Sequence, residues 1–74
     1  MSSITKTIRL SGKAGDSIED AVRTVLARAA TTISDIQRFE IVKVGGEVDN
    51  SGAPTMFSVT VDITFGLKDT VEHG

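Results

Sequence analysis

The strongest pattern in the chain is an unbroken alternation of apolar and polar side chains near its C-terminal end. The apolar set is Phe57, Val59, Val61, Ile63, Phe65 and Leu67. Successive side chains of a β-strand point to opposite faces, so the alternation predicts a half-buried strand over Thr55–Leu67. Its register is fixed, because a slip by one residue would expose all six large side chains.

An amphipathic helix is predicted in the first half of the chain. Its apolar residues fall at helical spacing and form one stripe: Ile18, Ala21, Val22, Val25, Leu26 and Ala29. Asp16 or Ser17 is a suitable N-cap, and Asp16 with Glu19 matches a capping box. The β-branched pair Thr31 and Thr32 marks the end, which predicts a helix of about 15 residues.

Two further strands are predicted from β-branched and apolar runs. The first is Ile4–Leu10, followed by a glycine-containing loop at Ser11–Asp16. The second is Phe39–Val48, whose apolar residues occupy both parities and therefore predict a strand covered on both faces. Within it, Gly45-Gly46 indicates a bulge, a bend or a close backbone approach. Asp49–Pro54 is a turn.

These elements predict an α+β fold of the order β-α-β-β, with a three-stranded antiparallel sheet and one helix on one of its faces. The last strand takes the middle of the sheet. The whole chain, residues 1–74, is expected to be a single domain, folded over about residues 4–68 with a polar tail at 69–74.

Self-association is expected from the lengths of the elements. The helix spans roughly 22 Å and the last strand roughly 43 Å. One helix cannot cover such a strand, so its uncovered apolar end is predicted to meet another copy of the chain.

Composition supports the same conclusion. A domain of 74 residues has a small core, and a single core of this size supplies only about 3–5 kcal/mol. There is no cysteine, which excludes disulfides, and the one histidine, His73, cannot form a zinc site alone. A homo-oligomer is the remaining source of stability.

The charges favour neither nucleic acid nor membrane as a partner. The net charge is −2 with both signs interspersed, no basic stripe is present, and no apolar run approaches about 18 residues. No signal-peptide core is found at the start, and a cytoplasmic location is expected.

No constellation in the sequence predicts an enzyme. A Ser–His–Asp arrangement would depend on His73 near the end of the chain. Gly12–Gly15 lacks the spacing of a phosphate loop and is interpreted as a tight turn. Asp49 superficially resembles the start of a calcium loop without its closing glutamate, and Glu19 and Asp20 are interpreted as a solvated helix face.

Arg38 is the least explained residue, because it stands at the start of a strand beside Phe39. It is either an exposed strand-end arginine, or an anion contact whose flat guanidinium can also stack on an aromatic ligand.

An ordered set of short segments carries a family resemblance. The set is Ser17-Ile18-Glu19-Asp20-Ala21-Val22, Ala27-Arg28-Ala29, Phe39-Glu40-Ile41-Val42 and Val59-Thr60-Val61, with Phe65 and Leu67. Over residues 7–67 the chain resembles the dodecin family. The resemblance implies a strand–helix–strand–strand protein whose sheet wraps around the helix, and a hollow homo-oligomer of twelve subunits.

The resemblance also implies a function in binding. Similar dodecins bind flavins, riboflavin or FMN, between symmetry-related subunits and store or sequester them without catalysis. Some bacterial members bind coenzyme A, and some relatives bind calcium.

The family's flavin contacts are replaced in this chain. The position of the tryptophan that stacks on the flavin ring holds Arg38, and the position of the glutamine that bonds the ring's polar edge holds Ser58. The common His-Tyr pair is Met56-Phe57, and the arginine after the late phenylalanine is Gly66. The resemblance therefore implies a ligand site at Arg38, Met56 and Ser58, with Phe39 and Gly66 beside them.

Two hypotheses follow. In the first, the chain is a dodecin-like oligomer that binds flavin or a related flat, phosphorylated ligand. In the second, the shell has lost flavin binding and serves as a structural assembly, or holds another ligand or an ion such as calcium at Glu19, Asp20 or Asp49.

Overall fold

The structure, a computed structural model, describes residues 4–67. It contains β1 (Thr5–Ala14), α1 (Ile18–Ala30), β2 (Ile36–Val48) and β3 (Pro54–Gly66), in that order. The predicted α+β arrangement is confirmed. The predicted tail at residues 69–74, with His73, lies outside the described residues.

The three strands form one antiparallel sheet in the order β1-β3-β2. The last strand lies in the middle, as the sequence predicts, and Val61 at its centre is flanked by Leu10 and Ile41. The unbroken alternation of β3 places Val59, Val61 and Ile63 on the face that packs on the helix, where all three are fully buried.

The core lies between α1 and the β1–β3 half of the sheet. It consists of Ala21, Val22, Val25, Ala29, Val59, Val61 and Ile63. The helix supplies its predicted stripe, although Leu26 is only half-buried and Ile18 is 38% exposed. Its small residues Ala21 and Ala29 let the helix lie close to the strands.

The helix begins one residue later than the capping-box prediction requires. Ser17 is the N-cap, with its hydroxyl accepting a hydrogen bond from the Asp20 backbone N–H at 3.0 Å. The predicted Asp16–Glu19 capping box is therefore wrong. The hydroxyl of Ser17 satisfies one of the free N–H groups of the first turn, and the carboxylate of Glu19 instead pairs with Arg23 at 3.0 Å.

The first strand runs four residues past its predicted end, and the predicted loop at Ser11–Asp16 is wrong over its first four residues. Residues 11–14 continue the ladder with β3, from Ser11 opposite Thr60 to Ala14 opposite Phe57. Gly12 fits here because the helix is close: a β-carbon at this position would collide with the Val25 side chain.

The second strand begins at Ile36, earlier than predicted, and carries β-bulges. One lies between Ile41 and Lys43, where the register against β3 shifts. The bulge brings Val44 onto the same face as Phe39 and Ile41. Apolar residues at both odd and even positions of β2 therefore do not indicate a strand covered on both faces, and that prediction is wrong. Gly46 meets the Met56 backbone so closely that a β-carbon would clash, which confirms the close backbone approach.

The apolar surface that stays uncovered is on β2. Phe39, Ile41 and Val44 face the helix side of the sheet opposite buried residues of β3, yet they remain 46%, 40% and 47% exposed. The helix packs on β1 and β3 and stops short of covering this strand. Most of the uncovered surface is thus the helix-side face of β2, and Leu67, at the predicted uncovered end of the last strand, is also 46% exposed.

The chain is correspondingly extended. Its radius of gyration is 16.1 Å, whereas a compact domain of this length has about 11 Å. No helix among the described residues is long and apolar enough to cross a membrane.

Candidate ligand-binding site

The side of the sheet that faces away from α1, here called the polar face, carries almost all the polar side chains of the strands. Its members occupy every second position of β1 and β3 and the matching positions of β2. They are Thr5, Thr7, Arg9, Ser11, Lys13, Arg38, Glu40, Lys43, Glu47, Ser58, Thr60, Asp62 and Thr64. The alternation of β3 that builds the core on one face thus builds this surface on the other.

Cross-strand hydrogen bonds join β1 to β3 along the polar face. The hydroxyls of Thr7 and Thr64 are 2.9 Å apart, and those of Ser11 and Thr60 are 3.0 Å apart. Between these pairs, Arg9 donates two hydrogen bonds to Asp62, at 2.7 and 3.1 Å. Such directly opposed pairs stabilise an antiparallel register.

The Arg9–Asp62 pair sets the charge at the centre of the polar face. The hydrogen bonds from Arg9 lower the pKa of Asp62 below its usual 3.8, and the same contact raises the pKa of Arg9. Glu40 lies opposite Asp62 on the other side. The Arg9–Asp62 ion pair therefore stays charged at neutral pH in the middle of the polar face.

A concave pocket of about 310 Å³ opens on the polar face next to this centre. Its side chains come from two adjacent rows of the sheet: Lys13 opposite Ser58 opposite Gly45, and Ser11 opposite Thr60 opposite Lys43. Two lysines therefore flank three hydroxyls. Gly45 contributes no side chain, which leaves this edge of the pocket open.

The candidate ligand residues fall at two ends of the polar face. Arg38 lies opposite Thr64, whereas Ser58 lies six residues further back along β3, roughly 20 Å away at about 3.3 Å per residue. Met56 is on the same end and face as Ser58, opposite Glu47. Within one chain, Arg38 and Ser58 are therefore too far apart to contact the same aromatic ring of a ligand.

Gly66 and Phe39 occupy different surroundings from Ser58. Gly66 is near the Arg38 end, and its N–H donates to the Asp35 carbonyl at 3.0 Å. The Asp35 and Gln37 side chains, joined by a 3.2 Å hydrogen bond, fill the space that a side chain at Gly66 would take. Phe39 lies on the helix side of the sheet, opposite Ile63.

Asp49 and Glu19, two of the three acidic residues considered for an ion, have other contacts, and that of Glu19 is with Arg23. The Asp49 carboxylate accepts hydrogen bonds from the Ser51 N–H and hydroxyl and from the Ala53 N–H, at 2.7–3.1 Å. These bonds lower its pKa and build the turn before β3, as the turn interpretation predicts. Within residues 4–67 no group of three metal-ligating side chains occurs.

Sequence reasoning missed Lys13 and Lys43. The sequence predicts a loop at Lys13, and simple alternation along β2 puts Lys43 on the same face as Phe39 and Ile41. The bulge after Ile41 reverses that parity. The pairing of Lys13 with Ser58 could have been found by extending the β1–β3 ladder. The sequence contains no pattern that predicts the bulge after Ile41.

The chain is thus a small βαββ protein with a polar sheet face and an apolar face of β2 that the helix does not cover. Comparison with known proteins gives its family. The Dodecin family model matches residues 4–68, so the chain belongs to the dodecin family.

Individual relatives agree. A dodecin of Thermus thermophilus is 27% identical over 70 residues, covering 95% of this chain and all of the relative. A crystal structure from the same organism has a TM-score of 0.86 at 26% identity, covering 93% of this chain and all of that one. A calcium dodecin of Mycobacterium tuberculosis shares the fold, with a TM-score of 0.75, 20% identity, and coverage of 95% and 99%.

Proposed function

We propose that the chain is a non-enzymatic homo-oligomer, a hollow dodecamer, that binds and stores flavin or a related flat, phosphorylated ligand between its subunits. Family membership supports the scaffold and the binding role. The observation that carries the proposal is the division of the polar face, where Arg38 and Ser58 share one face roughly 20 Å apart by register. A ligand that touches both ends needs a second copy of the chain.

The uncovered strand supplies a reason for that second copy. Phe39, Ile41 and Val44 are 40–47% exposed, and burying them against another subunit removes apolar surface from water at about 25 cal/mol per Å². Phe39 precedes Glu40 of the polar face and follows Arg38. An interface on this strand therefore brings a neighbouring subunit next to Arg38.

The residues present fit an anionic flat ligand. Arg38 offers a planar guanidinium that stacks on an aromatic ring and also bonds a phosphate. Ser58 is a short hydroxyl with one donor and two acceptor positions. Losing an aromatic stacking partner costs about 1–3 kcal/mol per face, so we expect weaker flavin affinity than in a site that stacks the ring on tryptophan.

A fluorescence titration tests the proposal. Riboflavin, FMN and coenzyme A are added to purified wild type and to Arg38→Trp, and flavin emission is followed for the two flavins. We expect saturable quenching by wild type and about tenfold or greater tightening in Arg38→Trp, in line with one restored stacking face. Arg28→Trp, on the exposed side of α1, is the matched control and should bind like wild type.

The result that overturns flavin binding is no response from either wild type or Arg38→Trp. A response from Arg38→Trp alone would favour the second hypothesis, a shell that lost flavin at this position. The replacement of the stacking residue by Arg38 is the observation in favour of that alternative. If the shell instead binds calcium, adding calcium should shift the NMR signals of the Glu19, Asp20 or Asp49 carboxylates.

A further inference from the structure

We infer that the pocket between Lys13 and Lys43 binds the phosphate, or another multiply charged oxyanion, of the ligand. The inference rests on the proposed function in taking the polar face as the ligand-binding surface. It adds an anion-binding site built from side chains of all three strands, and it predicts that phosphorylated ligands are preferred to neutral ones.

The two lysines are placed to converge on one group. They lie on opposite sides of β3 and one row apart, because Lys13 is opposite Ser58 and Lys43 is opposite Thr60. With strands about 4.8 Å apart and about 3.3 Å per residue, their Cα atoms are about 12 Å apart. Both side chains are long enough to reach an anion held over the hydroxyls of Ser58 and Thr60.

The ammonium groups of Lys13 and Lys43 form no salt bridge within the described part of the chain. The salt bridges within residues 4–67 are Arg9–Asp62 and Glu19–Arg23. The pocket lining thus has an excess of positive charge, with two lysines and no carboxylate, while Glu40, Glu47 and Asp62 lie one row away on the same face. An excess of positive charge inside a concave site focuses the electrostatic field there and attracts anions.

The pocket has the chemistry and size for an oxyanion. Hydroxyls of Ser11, Ser58 and Thr60 line its floor, and lysines stand at its sides. Its volume of about 310 Å³ is at the lower end for small-molecule sites. Hydrogen bonds from charged donors to phosphate are about twice as strong as those between neutral groups.

Gly45 keeps the pocket open. A β-carbon there would meet only the Ser58 hydroxyl oxygen, at an ordinary 3.6 Å. A larger side chain at Gly45 therefore fits the strand and fills the pocket. This position gives a steric test that leaves both lysines unchanged.

The experiment measures binding of three probes to the assembled protein: pyrophosphate by calorimetry, and riboflavin and FMN by flavin fluorescence. We expect saturable pyrophosphate binding, and FMN to bind at least about tenfold more tightly than riboflavin. Lys13→Gln and Lys43→Gln should each weaken pyrophosphate and FMN by about fivefold or more without changing riboflavin. Gly45→Val should weaken both anions too.

Lys6→Gln is the matched control, because Lys6 is an exposed lysine of the same strand on the other face, opposite Phe65. It should leave all three affinities unchanged. Salt provides a measurement that needs no variant: raising ionic strength should weaken pyrophosphate and FMN and spare riboflavin, since screening acts on charge.

The outcomes separate this inference from the flavin proposal. Pyrophosphate binding that depends on Lys13 and Lys43, with no flavin response, supports the anion pocket and overturns flavin binding. Equal riboflavin and FMN affinities, with no pyrophosphate binding, overturn the anion pocket and support flavin binding. Failure of all three probes overturns both.

Discussion

Two glycines of the sheet show how differently the same residue type acts in this molecule. Gly12 lies under α1, where a β-carbon would collide with the buried side chain of Val25. Gly45 faces the open pocket, where a β-carbon meets only the Ser58 hydroxyl at 3.6 Å. A glycine within a strand signals a close approach or a bulge, but the sequence does not say what approaches. Only the packing separates a structural glycine from one that leaves room for a ligand.

The first prediction compares these two positions. Gly12→Ala should lower the free energy of unfolding by about 1–3 kcal/mol, because the added carbon overpacks the core against Val25. Gly45→Ala is the matched control and should be neutral or slightly stabilising, since alanine is less flexible in the unfolded chain. Urea unfolding at one fixed subunit concentration measures both. Equal effects would contradict the close packing of α1 on β1.

The second prediction concerns Asp62. Its pKa is lowered by hydrogen bonds from Arg9, so its contribution to stability is present above the usual 3.8 and is lost as the pH falls through the lower folded value. NMR titration should find the Asp62 pKa below 3.8, rising towards it in Arg9→Gln. Arg23→Gln, which removes the other ion pair, should leave it unchanged. An Asp62 pKa indifferent to Arg9 would refute the cross-strand pair.

The candidate site was only partly predictable from residues alone. Alternation puts Ser58 on the face away from the core, because Val59 is in the core, and it does the same for Met56. Arg38 follows once the order of strands is known. The sequence does not predict Lys13 and Lys43 as site residues, because Lys13 falls in a predicted loop and Lys43 changes face at a bulge that depends on backbone pairing.

At the scale of elements, α1 and β3 were predictable because each has one strict periodicity. The helical stripe and the unbroken alternation leave one way to bury their apolar faces. The end of β1 and the start of β2 were not predictable, because the segments Ser11–Ala14 and Ile36–Arg38 carry few apolar residues. Their strand conformation comes from hydrogen bonding to β3, a long-range contact that local propensity does not contain.

The third prediction tests the start of α1. Ser17→Ala should lower the free energy of unfolding by about 1 kcal/mol, because it removes the hydroxyl that accepts from the Asp20 N–H. Asp16→Ala, one residue earlier, is the comparison and should have a smaller effect. The two are measured by thermal or urea unfolding under the same conditions. The reverse order would restore Asp16 as the cap.

The chain on its own leaves part of its apolar sheet surface uncovered. Its helix covers β1 and β3, its β2 surface of Phe39, Ile41 and Val44 is exposed, and its radius of gyration is 16.1 Å. The lengths of the helix and the last strand predict the need for another copy and an uncovered end of β3, where Leu67 is 46% exposed, but they do not predict the larger uncovered region on β2. The bulge in β2, which collects apolar residues onto one face, is why the region lies on the neighbouring strand.

The fourth prediction follows from that surface. Val44→Asp places a charge where a neighbouring subunit should pack, so it should prevent assembly and yield monomer or unfolded protein in light scattering. Ala27→Asp is the matched control, because Ala27 is exposed on the outer side of α1. It should assemble normally. Normal assembly of Val44→Asp would show that β2 is not the interface.

Native mass spectrometry of the purified protein with FMN tests the central claim, an assembly that holds its ligand between copies. We expect a species of twelve 7.8 kDa chains, about 94 kDa, that carries FMN mass increments. We also expect that FMN is lost when the assembly dissociates. A folded monomer of 7.8 kDa that binds FMN as well as the assembly does would contradict it.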